Sequence, residues 1–311
     1  MSDNNFAFVF PGQGSQAVGM LSEFAEEAIV KQTFEEASEA LGYNMWALVS
    51  EGPADQLNQT NYTQPALLTA STAIWRLWAE SGPKPKFVAG HSLGEYSALV
   101  ASDSLAFADA VRLVAKRGEF MQQAVPAGTG KMAAIIGLDD ALIQEACDAA
   151  AESQVVSPVN YNSPGQVVIA GNAEAVERAM ELCKEKGAKR ALPLPVSVPS
   201  HCELMRPAAE QLAEAMSQIE INTPNIELIN NVDVAINQDA EKIKDALVRQ
   251  LYSPVRWTET VQKLAGEGIN TLFECGPGNV LSGLAKRIDR SVAAHQLHKK
   301  DAYNQALEIL S

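Results

Sequence analysis

The chain begins its pattern with an unbroken apolar run, Phe6–Phe10, that stops at Pro11-Gly12. A run with no polar break predicts a strand covered on both faces. A polar, glycine-bearing turn follows, and helical pattern then continues to about Leu41. Residues 65–80 carry apolar side chains almost all round, which predicts a buried helix. Residues 86–90 predict a short strand, Gly94–Ala101 a helix of small residues, and 107–125 a longer amphipathic helix. Strands alternating with helices in this way predict an α/β fold, a mostly parallel sheet covered by helices.

The pattern changes at Pro126-Ala127-Gly128-Thr129-Gly130. A strand at 132–138, a helix at 139–151 and a strand at 155–160 come next. A turn at Ser163-Pro164-Gly165 leads to a strand at 166–170, a helix at 173–186 and a strand at 190–196. The order βαββαβ is the ferredoxin-like one. It is self-contained, so 126–197 reads as a small subdomain inserted into a larger one made of 1–125 and 198–311. Helix–strand alternation resumes from His201 to the end.

Composition narrows the partners. The 311 residues are 47% hydrophobic, enough to bury a sizeable core. No stretch approaches the 18 apolar residues of a membrane span. The five-residue apolar run near the start follows Asp3 rather than basic residues, so it reads as a strand and not a signal peptide. Cys147, Cys183, Cys202 and Cys275 form no CxxC pair, which argues against a zinc site or a disulfide framework and for a cytoplasmic protein. The net charge of −14 disfavours nucleic acid. Two basic stretches stand against it: Lys184, Lys186, Lys189 and Arg190, then Lys286, Arg287 and Arg290. Each is either solvated surface charge or landing ground for an anionic partner.

Gly90-His91-Ser92-Leu93-Gly94 is a G-x-S-x-G pentapeptide between a predicted strand and a predicted helix. That context marks a nucleophile elbow rather than an ordinary tight turn. The Leu93 N–H then lies at a helix N-terminus, where it stabilises an oxyanion. A serine nucleophile needs a base, and the chain has four histidines. His91 adjoins Ser92 and reads as structural. His295 and His298 lie near the C-terminus, where an α/β-hydrolase keeps its base. His201 closes Val198-Pro199-Ser200-His201 at the seam of the two predicted domains, and it ranks first, with His298 second.

Pro11-Gly12-Gln13-Gly14-Ser15-Gln16-Ala17 fits a loose dinucleotide fingerprint, but no acidic residue closes a second strand about twenty residues on, so that site is rejected. Its glycines instead let the loop lie close to a neighbour and let Gln13 point a main-chain or side-chain amide at an oxyanion. Gly128-Thr129-Gly130-Lys131 fails as a phosphate loop, since Val125 and Met132 stand where glycine and Ser or Thr belong. In the helix at 107–125, Val111, Val114, Gly118, Met121 and Val125 share a face. Arg117 flanks that face at about 100° per residue, while Arg112 and Lys116 point to water. An arginine beside a buried stripe needs an anion. Two partners fit: an Asp or Glu of this chain, or a substrate carboxylate gripped by both arms of the guanidinium.

These segments resemble the bacterial malonyl-CoA:acyl-carrier-protein transacylases of fatty-acid synthesis over nearly the whole chain. The resemblance also rests on Asn160-Tyr161-Asn162-Ser163-Pro164-Gly165-Gln166, Asn230-Asn231-Val232 and Phe273-Glu274-Cys275-Gly276-Pro277-Gly278. It implies an α/β-hydrolase-like core with the ferredoxin-like insert, Ser92 as nucleophile and His201 as base and acid. It implies Gln13 and Leu93 as the oxyanion hole, and a main-chain carbonyl near Gln250, in place of a triad carboxylate, to orient His201. Arg117, Met121 and Ser200 are the expected substrate-binding residues. The implied reaction needs no metal and no tightly bound cofactor. Malonyl-CoA and acyl carrier protein are the expected partners of a monomer. Ser200 sits in the segment by which related polyketide acyltransferases separate malonyl from methylmalonyl groups. The competing readings are an esterase or thioesterase using Ser92 with His298, a stand-alone polyketide acyltransferase, and a carrier-binding module without catalysis.

Overall fold

The computed structural model describes residues 5–196 and 198–310. Asp3 and Ser197, which enter the expectations above, lie outside the described residues. Five strands form one sheet: β1 (Phe6–Phe10), β2 (Phe87–Gly90), β7 (Glu227–Ile229), β8 (Thr271–Glu274) and β9 (Ala293–Gln296). Their order is β7-β2-β1-β8-β9, and every neighbouring pair is parallel. Four strands form a second sheet: β3 (Gly130–Ile136), β4 (Val156–Ser163), β5 (Gln166–Asn172) and β6 (Arg190–Pro193). Their order is β4-β5-β3-β6, and every pair is antiparallel.

The unbroken apolar run of β1 has a simple cause. Successive side chains point to opposite faces of a sheet. Phe6, Phe8 and Phe10 enter the core shared with the helices Ala28–Leu41, Thr60–Ala79 and Phe107–Ala124. Ala7 and Val9 enter a second core, against Trp257–Gly266 and Val280–Ile288. Both faces are covered, so neither register of the strand tolerates a polar residue.

The order βαββαβ is present between Gly130 and Pro193, with no edge more than three residues from expectation. β4 runs through the polar stretch Asn160–Ser163, because β5 supplies its bonds across two register irregularities. The helix expected at 65–80 starts five residues earlier, at Thr60, and carries Pro65 inside it. A proline early in a helix leaves only one backbone bond unmade. No helix of the described residues is long and apolar enough to cross a membrane.

The helices Asp140–Ala151 and Ala173–Glu185 cover one face of the antiparallel sheet. Met132, Val159, Val168 and Ala170 on its other face pack on Cys202, next to His201. Backbone bonds from Tyr161 N to Val255 O (3.0 Å) and from Val255 N to Val159 O (2.9 Å) tie this sheet to the larger unit. The seam therefore runs past His201, opposite the carboxyl ends of β1 and β2. Carboxyl ends of parallel strands are where sites form in such sheets.

Candidate active site

The turn from β2 into the helix Gly94–Ala101 is sterically forced. A Cβ on Gly90 would stand 1.9 Å from the carbonyl carbon of Gly94, and one on Gly94 would stand 2.0 Å from the Phe10 oxygen. No side chain fits at either place. Between them Ser92 takes φ 53°, in the left-handed region, a strain that persists only when neighbours hold it. Asn231 does so: its Oδ1 accepts from Ser92 N at 2.7 Å, and its Nδ2 donates to Gly90 O at 2.6 Å.

Ser92 Oγ lies 2.8 Å from His201 Nε2, and His201 Nδ1 lies 2.7 Å from the Gln250 main-chain oxygen. A carbonyl only accepts, so Nδ1 carries the proton and Nε2 is free to accept from the serine. His201 is itself left-handed, at φ 65°, and its N–H donates to Leu251 O. Burial, and then the nearby Arg117 charge, push its pKa down to about 3. The imidazole is therefore neutral and ready to accept a proton across the ordinary pH range.

The other histidines are elsewhere. His91 bonds Asn162 Oδ1 at 2.8 Å and packs on Trp257. His295 stacks on Phe273. His298 has a buried Nδ1 without a partner among the described residues, and Ser92 pairs with His201 instead.

A Cβ on Gly12 would stand 2.5 Å from His91 O, so the loop after β1 lies directly on the elbow. The Gln13 side chain turns away, to Thr60 Oγ1 at 3.4 Å. The main-chain N–H groups of Gln13 and Leu93 have no acceptor among the described residues. Two free donors thus flank the serine from two segments.

Arg117 is not at the edge of its helical stripe but 1% exposed. Nη1 donates to Gln64 Oε1 at 2.8 Å and Nη2 to Gln250 Oε1 at 2.9 Å; Nη2 also stands 3.4 Å from Ser92 Oγ. The guanidinium carbon lies 5.4 Å from the centre of the Tyr96 ring. No carboxylate of the described residues forms a salt bridge with it. Of the two partners open in the sequence, an internal ion pair is therefore absent. A buried cation whose direct hydrogen-bond partners are neutral groups is poised for an external anion.

Met121 is buried behind this cage, its sulfur 3.4 Å from Gln64 Nε2. Ser200 is half-buried beside His201, with its N–H on Val198 O. Sequence reasoning assigned no role to Gln64, Glu95 or Asn231. Gln64 lies just before the predicted start of its helix, and Asn231 is a resemblance anchor only. Glu95 likewise falls in a stretch that carries the resemblance, Gly90–Tyr96, and it is the one charged residue of its helix.

The acyl transferase domain model matches residues 7–298. The chain belongs to that family, among the malonyl-CoA:acyl carrier protein transacylases. The Salmonella typhimurium malonyl CoA-acyl carrier protein transacylase is 62% identical over 97% of this chain and 98% of its own length. A solved acyl carrier protein S-malonyltransferase from Vibrio cholerae is 60% identical, with a TM-score of 0.96 over 97% of this chain and 99% of that one. A malonyl-transacylase solved in complex with a type II PKS acyl-carrier protein is 58% identical, with a TM-score of 0.97 over 98% and 99%. This acyltransferase thus matches these relatives over nearly its whole length, and its elbow, histidine and buried arginine lie within the matched residues.

Proposed function

We propose that this acyltransferase moves a malonyl group from malonyl-CoA to the phosphopantetheine thiol of acyl carrier protein through an ester on Ser92. The observation that carries this reading is the buried Arg117 fork, 3.4 Å from the serine oxygen and without an internal carboxylate. A general esterase has no use for such a cation. The malonyl carboxylate takes both arms of Arg117. His201 Nε2 accepts the Ser92 proton as Oγ attacks the thioester carbon. The N–H groups of Leu93 and Gln13 hold the oxyanion. The carbon–sulfur bond breaks, and coenzyme A leaves with the proton from His201. The carrier thiol then attacks the ester, His201 takes its proton, and Ser92 regains one. Met121, behind Gln64, braces the fork, and Ser200 lines the acyl pocket. Coenzyme A enters and leaves with the substrate, and the sequence of steps calls for no metal or resident cofactor.

Two features support the docking of an acidic carrier. In the antiparallel sheet Ile136 pairs with Arg190 on one side and with Gln166 on the other. Arg287 of the large unit reaches over to Gln166 Oε1 at 2.7 Å. Lys189, Arg190, Lys286 and Arg287 therefore gather at one end of the small sheet, on a chain whose net charge otherwise repels an acidic protein. The parallel sheet with its helices, 1–125 and 198–311, corresponds on this reading to an α/β-hydrolase-like core, and 126–197 to a ferredoxin-like insert. The reading is of a monomer. The four free, buried cysteines suit a cytoplasmic enzyme.

Intact-mass spectrometry after mixing with malonyl-, methylmalonyl- and acetyl-CoA tests the proposal. One malonyl group per chain is expected within seconds. An unchanged mass overturns the reading, and rapid hydrolysis without carrier favours the thioesterase alternative.

A further inference from the structure

Among the described residues, Glu95 is the one buried carboxyl beside the site that the steps above leave unused. It is 2% exposed, on the wholly buried helix that starts at the elbow. Its Oε2 accepts from Asn231 N at 3.0 Å and from Gln250 Nε2 at 2.8 Å. These two partners in turn bond Ser92, His201 and Arg117. Asn231 Oδ1 fixes Ser92 N. The Gln250 main chain holds His201, and its side-chain oxygen holds Arg117.

A side-chain amide has a donor end and an acceptor end. The carboxylate accepts only, so it fixes the Gln250 nitrogen toward itself. The Gln250 oxygen must then face Arg117, which only donates. A direct Glu95–Arg117 pair would consume the fork. One intervening amide keeps the guanidinium balanced by a buried negative charge yet open to substrate.

We propose that Glu95 is a positioning residue for both halves of the site: through Asn231 it sets the Ser92 elbow, and through the Gln250 amide it aims and balances the Arg117 fork. This rests on the malonyl-transfer reading above. The charged groups facing Glu95 are Arg117 from the helix Phe107–Ala124 and Asp233 from the loop after β7, with Tyr96 beside it on its own helix. Burial pushes the Glu95 pKa up to about 7, against the Asn231 and Gln250 bonds and the Arg117 charge. The balancing charge is therefore largely present near pH 8 and fades as the pH falls through 7.

Both bonds fall on one oxygen, so Glu95→Gln can keep the geometry while removing the charge. Glu95→Ala removes both. The test measures melting temperature and steady-state kinetics with malonyl-CoA and acetyl-CoA at pH 8 for the full chain and both variants. E95Q should recover most of kcat and lower KM for malonyl-CoA by roughly threefold to tenfold, since the fork no longer faces a negative charge. Its KM for acetyl-CoA should not move. E95A should lose about 10- to 100-fold in kcat with both substrates, as a displaced elbow would. At pH 6 the wild-type KM for malonyl-CoA should approach that of E95Q. An E95A enzyme as fast as wild type, or an E95Q enzyme as slow as E95A, overturns the proposal. If E95A does not fold, the E95Q comparison decides: equal KM changes for the two substrates, or none, overturn it. A wild-type enzyme that never gains the malonyl mass sinks the underlying reading instead.

Discussion

The two halves of the site are held by different chemistry. His201 is fixed by main chain, with its ring on the Gln250 carbonyl and its N–H on Leu251 O. Arg117 is fixed by side chains, the amide oxygens of Gln64 and Gln250. A main-chain support survives substitution of its own residue; a side-chain support does not. The base is thereby insulated from substitution of the residues that hold it, whereas the elbow, held by the Asn231 side chain, and the arginine that selects the acyl group are open to change. Gln250 serves both, with different atoms.

The largest effect should come from removing the nucleophile. Ser92→Ala should abolish acyl-enzyme formation with every acyl-CoA, while circular dichroism stays that of the wild type. A malonyl mass shift persisting in the variant would refute the assignment. His201→Ala should slow acylation by about two to four orders of magnitude, equally for malonyl and acetyl groups, in rapid-quench measurements. His298→Ala should change little, and a reversal of these two results would revive the esterase reading.

On the selective side, Arg117→Ala leaves a substrate carboxylate buried and unpaired. That costs about 2–5 kcal/mol, roughly 30- to several-thousand-fold in kcat/KM for malonyl-CoA. Acetyl-CoA should be unharmed or gain, because the cation that opposes a charged His201 is gone. Arg117→Lys should recover little, since an ammonium cannot form the fork. Parallel losses with both substrates would make Arg117 structural. Gln250→Ala divides the two halves most finely. Its main-chain carbonyl remains for His201, while Arg117 loses one acceptor and Ser92 O loses one donor, so malonyl transfer should fall about tenfold and acetyl transfer less. Equal falls in kcat/KM would erase the distinction. Smallest of all, charge reversal at Lys189, Arg190, Lys286 and Arg287 should raise KM for the carrier alone, and less so at high salt. Equal changes for malonyl-CoA would count against a docking role.

The elbow was legible because its geometry depends on what glycine lacks, and a missing side chain shows in the sequence. The βαββαβ order was legible because each element pairs with one close by in the chain. His201 could be ranked but not chosen on residues alone, since its partner lies 109 positions away. The Arg117 cage was not legible. Its acceptors come from 53 and 133 residues away, and neutral amides leave no pattern of charge or period. Gln250 entered only through the family resemblance. Asn231 and Glu95 stayed unassigned for the same reason: each acts through hydrogen bonds to partners more than 130 positions away, which only the folded chain brings together.

The strand order of the large sheet also sets a timetable. β1 is its middle strand and the first to leave the ribosome, yet it needs β2, which ends at Gly90, and β8, which begins at Thr271. At synthesis rates of about 5–20 residues per second the second neighbour arrives roughly 10–40 s after the first. Through that interval β1 offers an unpaired apolar edge, a template for wrong pairing. The antiparallel sheet closes on itself long before β8 exists. The nascent enzyme therefore carries one finished sheet beside one open one, and chaperone capture should map to Phe6–Phe10.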